Sequence, residues 1–144
     1  MKFFNSLSLI ALLFLTSAFI QKLPLANQKV IEYVDSVMGT KVGTGECADV
    51  VFNAQHYLKK DNVYTHSKSK KTLAGDFITF RDVVFLNSNG GKLTFYDHQA
   101  VVYKVLSKTK IIIAHQNHNG KKVVQTLKLD LGTHQSGVYG ISHP

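Results

Sequence analysis

From Phe77 to its C-terminus the chain offers only short runs rich in Val, Ile, Phe, Thr and Tyr. The turns between them are too brief to hold a crossover helix, and this restricts the fold more than any other feature. Candidate strands cover 77–80, 83–86, 93–96, 99–106, 110–115, 122–131 and 138–141, with Asn89-Gly90-Gly91, 107–109 and Asn119-Gly120 as turns. Strands joined so tightly must run antiparallel to their neighbours. Ahead of them lie two stretches of helical spacing. Asn27 is placed to cap the first, whose apolar residues are Val30, Ile31, Val34 and Val37 and which Gly39 ends. Val50, Val51, Ala54 and Leu58 form the second, closed by Lys59, Lys60 and Asp61-Asn62. Helices first and a meandering sheet afterwards, without βαβ alternation or internal repeat, predict an α+β domain with its N-terminal helices packed on an antiparallel sheet.

Lys2 followed by the apolar segment 7–20, broken only by Ser and Thr, has the composition of an export signal. We expect a signal over 1–20, cut somewhere between 18 and 26, and one domain over 27–144 with no membrane anchor in the mature form. Roughly 120 residues suffice for a core without disulfides. The formal net charge is +8, which favours anionic partners such as a cell-wall surface. The lysines are scattered in pairs, at 59–60, 70–71 and 121–122, without the aromatic-interleaved basic stripe of single-strand binders, so nucleic acid is not an expected partner. The expected destination is the periplasm or the exterior.

Cys47 is the one cysteine of the chain. With no partner in its own chain, a thiol in an exported protein pairs between chains, sits inert in the core, or is kept for chemistry. The run Gly43-Thr44-Gly45-Glu46-Cys47 sets it where a glycine-rich loop opens into a helix, and the unpaired N–H groups there favour thiolate over thiol. A thiol nucleophile needs a base and a group that orients the base. His98 stands at the mouth of the strand Gln99-Ala100-Val101-Val102-Tyr103 and is the leading base; its plain alternative is a surface histidine near a turn. If Ser107 opposes Lys110 in the following hairpin, His98 opposes Asn119 and lies diagonal to Asn117. Positions 115, 117 and 119 then share its face. His115 and Asn117 are the candidate orienters, a bulge deciding between them, and His118 points to the other face. Gly75-Asp76 reads as turn chemistry. His56, His66, His134 and His143 read as packed or loop side chains, with no partner at metal-ligand spacing.

Gly45-Glu46-Cys47, Gly75-Asp76-Phe77-Ile78-Thr79-Phe80, His98-Gln99-Ala100-Val101-Val102 and Ile113-Ala114-His115-Gln116-Asn117 resemble, in order and context, the CHAP and NlpC-type papain-fold amidohydrolases. The resemblance covers most of the mature chain. It implies a papain-like fold and cleavage of peptidoglycan peptides. Cys47 attacks the amide, His98 is the base, His115 orients it and Asn117 is a further polar position; no cofactor or metal is implied. Three residues depart from the pattern: Glu46 stands where Gln is frequent, Asp49 where an aromatic follows the cysteine, and Lys41 where papain-like enzymes carry an oxyanion Gln. They motivate an alternative, a papain-fold binding module without turnover. A third reading, zinc held by His98, His115 and His118, is opposed by the strand alternation that separates His115 from His118.

Overall fold

Pro24, with its fixed φ of −52°, precedes helix α1, Leu25–Val37, whose buried stripe is Ala26, Asn27, Val30 and Val34. Asn27 therefore lies in the first turn instead of capping it. Its amide points inward and donates to the Ala74 carbonyl (2.9 Å) and to Asp76 Oδ1 (2.8 Å). Helix α2, Cys47–Lys60, buries Val50, Val51, Ala54 and Leu58. The two stripes meet Phe77, Val101, Ala114 and Val124 in one apolar cluster on the helix-bearing face of the sheet. The computed structural model describes residues 22–61, 71–87 and 89–144. The expected signal over 1–20 and His66 lie outside them. Among the described residues no helix is long and apolar enough to cross a membrane.

The sheet contains β1, Phe77–Leu86; β2, Lys92–Val105; β3, Lys110–His115; β4, Gln125–Asp130; and β5, His134–Ser142, in the order β4-β3-β2-β1-β5 with every pair antiparallel. The α+β expectation is met. Laid flat, the two edge strands would sit about 19 Å apart, four spacings of interstrand distance. Yet only Leu131–Thr133 joins β4 to β5, and the four steps from Asp130 to His134 span about 14 Å at most. The sheet must curl. Its inner face closes on a second cluster built from strands alone, including Ile78, Phe80, Val83, Phe85, Phe95, Ala100, Val102, Ile111, Ile113 and Leu129. Phe80 stacks on Phe95 at 4.6 Å and meets Phe85 edge-on at 6.2 Å.

Seven expected strands thus become five, because 77–80 joins 83–86 and 93–96 joins 99–106. The interruptions survive as a corner. Arg81, Asp82, Tyr96 and Asp97 are all exposed, and the buried alternation changes phase across them: Ile78 and Phe80 before, Val83 and Phe85 after; Phe95 before, His98 and Ala100 after. Asp82 takes φ +51°, and opposite it Gly137 takes φ +81° so close to the Asp82 carbonyl that a Cβ would collide with it. A bulge of this kind bends a strand and re-aims the neighbouring side chains. His98 is the first inward residue after this corner.

Gly75 and Asp76 join the two halves. Gly75 takes φ +88° where a Cβ would overlap the Asn27 backbone. Asp76, wholly buried, accepts from Asn27 Nδ2, the Leu73 N–H and His143 Nδ1, each at 2.8 Å. The pair is turn chemistry that also ties α1, the start of β1 and the C-terminal segment together.

Candidate active site

The loop before α2 is organised by Asp49. Its Oδ2 accepts from Thr44 Oγ1 (2.9 Å) and from the N–H groups of Gly45 and Glu46 (both 3.0 Å). These bonds, led by the Thr44 hydroxyl, hold its carboxyl below the usual range. Gly43, at φ +55°, leaves the space the carboxylate needs, since a Cβ there would stand 2.8 Å from it. Asp49 thus supports the loop from the third helical position, where the resemblance calls for an aromatic two residues after the cysteine.

Cys47 occupies the first helical position, half-buried, with Sγ 3.8 Å from the Asp97 carbonyl oxygen. Its backbone N–H has no intrahelical acceptor, as at the start of any helix. The neighbouring Glu46 carboxylate is engaged elsewhere: it accepts from Asn117 Nδ2 at 2.6 Å and from Lys122 Nζ at 3.1 Å.

Asp97 immediately precedes His98, so the thiol abuts the peptide that carries the expected base. The His98 ring is buried, stacks on Phe95 at 5.1 Å, and sets Nε2 2.9 Å from His115 Nδ1. His115 is itself 1% exposed. Burial first, then the neighbouring imidazole of His118, push His98 down to about 4 against a small opposing pull from Asp97. Burial and the two other rings push His115 down to about 3. Both are neutral at pH 7.

The hairpin register explains why His115 meets His98. Val105 pairs with Ile111, but a bulge at Tyr103 shifts the ladder so that Val101 faces Ala114. The expected pairing of His98 with Asn119 is therefore not formed. Asn117 and Asn119 adopt left-handed φ values of +57° and +52°, and β3 stops at His115. Asn117 turns away to Glu46, so it does not orient the His98 ring. His118, no longer bound by strand alternation, swings back to 5.4 Å from His115 and 5.9 Å from His98 between ring centroids. Burial lowers its pKa as well. The three imidazoles cluster, yet no group of three His, Cys, Asp or Glu among the described residues is arranged to hold a metal ion.

Gln116 is the residue of this assembly that the sequence does not single out. Its side chain, fully buried, accepts from the Val42 N–H (3.1 Å) and donates to the carbonyls of Val42 (2.9 Å) and Glu46 (2.7 Å). It thereby clamps the loop that carries Cys47 to the residue next to His115. The available signal was an amide beside a histidine at the end of an aliphatic strand. A groove of about 400 Å3, lined by Thr79, Phe80, Arg81, Asp97, Gln99, Val138 and Gly140, meets this assembly at Asp97.

Two solved structures share this fold. Ly7917 with the hydrolyzing product of MDP superposes with a TM-score of 0.58 at 18% identity, and Ly7917 alone with 0.54 at 17%. Each match covers 82% of this chain and 62% of the other, so the chain spans less than two thirds of their length. No protein-family model matches the chain, and no curated protein matches it by sequence.

The two depressed imidazoles make stability pH-dependent in a definite direction. Their folded values lie below the unfolded 6.5, so between about 6.5 and 4 the unfolded chain binds protons that the folded one refuses. Stability is intact above pH 6.5 and falls as the pH drops. Urea unfolding at pH 4.5 is expected to show a loss on the order of 2–3 kcal/mol per imidazole relative to pH 7. The doubly substituted His98→Leu, His115→Leu protein should lose most of that slope. Equal slopes in the two proteins would refute the assignment.

Proposed function

We propose that this protein is an exported, papain-like cysteine amidohydrolase that cleaves amide bonds in peptidoglycan peptides. The observation that carries the reading is the joint placement of Cys47 at a helix start against the Asp97 carbonyl and of His98 fixed by His115 at 2.9 Å. The structural likeness to Ly7917, a protein solved with the hydrolyzing product of MDP, a peptidoglycan fragment, supports the substrate class. The positive charge suits an anionic wall.

The base role selects one tautomer pair. His98 Nε2–H donates to His115 Nδ1, leaving His98 Nδ1 with a lone pair for the thiol proton and His115 protonated at Nε2. His98 takes the Cys47 proton as Sγ bonds to the amide carbonyl carbon, and the resulting oxyanion is met by the Cys47 N–H. His98 then delivers the proton to the departing nitrogen as the C–N bond breaks, leaving a thioester. Water, deprotonated by His98, attacks the thioester and frees the acid; the sulfur recovers its proton from the imidazolium. His115 stays neutral throughout, so it positions the base without adding charge.

Specific contacts weaken the alternative of a module without turnover. It rests on Glu46, on Asp49 and on the missing oxyanion side chain at Lys41; of these the two carboxylates are engaged elsewhere, Asp49 by three loop donors and Glu46 by Asn117 and Lys122. Incubation of the purified protein with defined peptidoglycan fragments should yield product pairs whose summed mass exceeds the substrate by one water. The acidic limb of kcat/KM should lie below the ordinary imidazole range, toward about 4. Intact fragments after incubation with folded protein would sink the proposal.

A further inference from the structure

Of the chain's 17 Lys and Arg residues only Arg81 is an arginine, and it lines the groove that shares Asp97 with the proposed nucleophile's surroundings. Arg81 pairs in register with Asp97, the residue whose carbonyl oxygen stands 3.8 Å from Cys47 Sγ. One strand spacing therefore separates the backbone of Arg81 from the peptide against which the thiol rests. The corner in β1 and β2 leaves both residues exposed, and no carboxylate among the described residues forms an ion pair with Arg81. A guanidinium presents a fixed fork of donors that matches a carboxylate with two parallel hydrogen bonds, which a lysine cannot reproduce.

The rest of the groove suits one peptide residue. Thr79 and Gln99 supply neutral hydrogen-bonding groups. Val138, 70% exposed, offers an apolar wall, and Gly140 leaves the floor open. Its volume of about 400 Å3 falls within the range of small-molecule sites. Asp97 on the same wall disfavours a densely anionic polymer while leaving room for a single carboxylate with N–H groups beside it.

We propose that Arg81 makes this groove a specificity site for a free carboxylate on the peptide residue adjoining the scissile amide. The inference rests on the hydrolase reading for its link to turnover, but the recognition itself is measurable without cleavage. Two peptides identical except for a carboxylate or a carboxamide at that residue are compared by titration calorimetry on the Cys47→Ala protein, and by kcat/KM on the wild type. The carboxylate peptide should be preferred about 10- to 100-fold in both assays. Arg81→Ala should bring that ratio close to one, and Arg81→Lys should restore only part of it.

Gly140→Val, a substitution compatible with its strand backbone, should weaken both peptides alike by narrowing the groove. Equal binding of the two peptides by the Arg81-bearing protein, or a ratio unchanged in Arg81→Ala, would overturn the inference. Preferential binding without any cleavage would instead count against the hydrolase reading and leave the carboxylate site standing.

Discussion

Cys47→Ala is expected to abolish amide cleavage, by on the order of 10^4-fold or more, while leaving the protein folded. The chemical half of this expectation follows from the site. No second thiol exists in the chain, and the groups left behind, a neutral His98 and one helix-start N–H, have no nucleophile to activate. The structural half follows from the contacts. The thiol is half-buried and meets a carbonyl at 3.8 Å, a weak bond, while alanine is the best helix former and sits comfortably at the start of α2. Circular dichroism and the urea midpoint should therefore match the wild type within about 0.5 kcal/mol. Cys47→Ser keeps the shape but offers a hydroxyl whose proton a buried, weakly basic His98 cannot readily take, so it should be nearly as inactive. Cleavage of peptidoglycan fragments by a folded Cys47→Ala protein at even a tenth of the wild-type rate would remove Cys47 from the mechanism.

What the sequence made legible was governed by local chemistry. The loop-to-helix transition at Cys47 falls where the glycines and the helical period place it, because both act within a few residues. The breaks at Arg81-Asp82 and before His98 are equally visible as charged interruptions of apolar runs. Locally, a strand end and a strand corner look the same. Only the short connection Leu131–Thr133 between the edge strands β4 and β5 forces the sheet to curl, and that turns the breaks into bends of continuous strands. The misplacement of His118 has a similar origin. Strand alternation is a sound rule while the strand lasts, and two asparagines in the left-handed region ended it at His115. Asn favours the cap position, and the sequence alone therefore suggests that role for Asn27. Pro24 starts the helix earlier, and the amide finds the buried carboxylate of Asp76, a partner 49 positions away in the chain.

Gln116 was illegible for the same reason, since its partners lie 70 and 74 positions away, and it leads to the second large expected effect. Gln116→Leu should lower stability by roughly 3–5 kcal/mol and cut the cleavage rate further than that loss of folded protein explains. Leucine has a similar bulk, so the cavity term is small; the loss comes from the buried Val42 N–H left without an acceptor, at about 1–3 kcal/mol, and from the bonds withdrawn from the carbonyls of Val42 and Glu46, which keep the N–H groups of Gly45 and Asp49 and lose about 1 kcal/mol each. Gln116→Glu discriminates between packing and hydrogen bonding. A carboxylate accepts from the Val42 N–H but donates to neither carbonyl, so it should be no better than leucine despite its near-identical shape. The functional consequence is geometric. The loop of Val42 to Glu46 ends on Cys47, and the strand before Gln116 ends on His115, so loosening this clamp changes the distance from thiol to base, where a shift of 1 Å costs about a hundredfold. Measured at a temperature where the variant remains folded, kcat should fall while the affinity of the Cys47→Ala, Gln116→Leu protein for substrate stays near that of Cys47→Ala alone. A stability loss with kcat unchanged would show that the clamp holds the fold and leaves the alignment of Cys47 with His98 untouched.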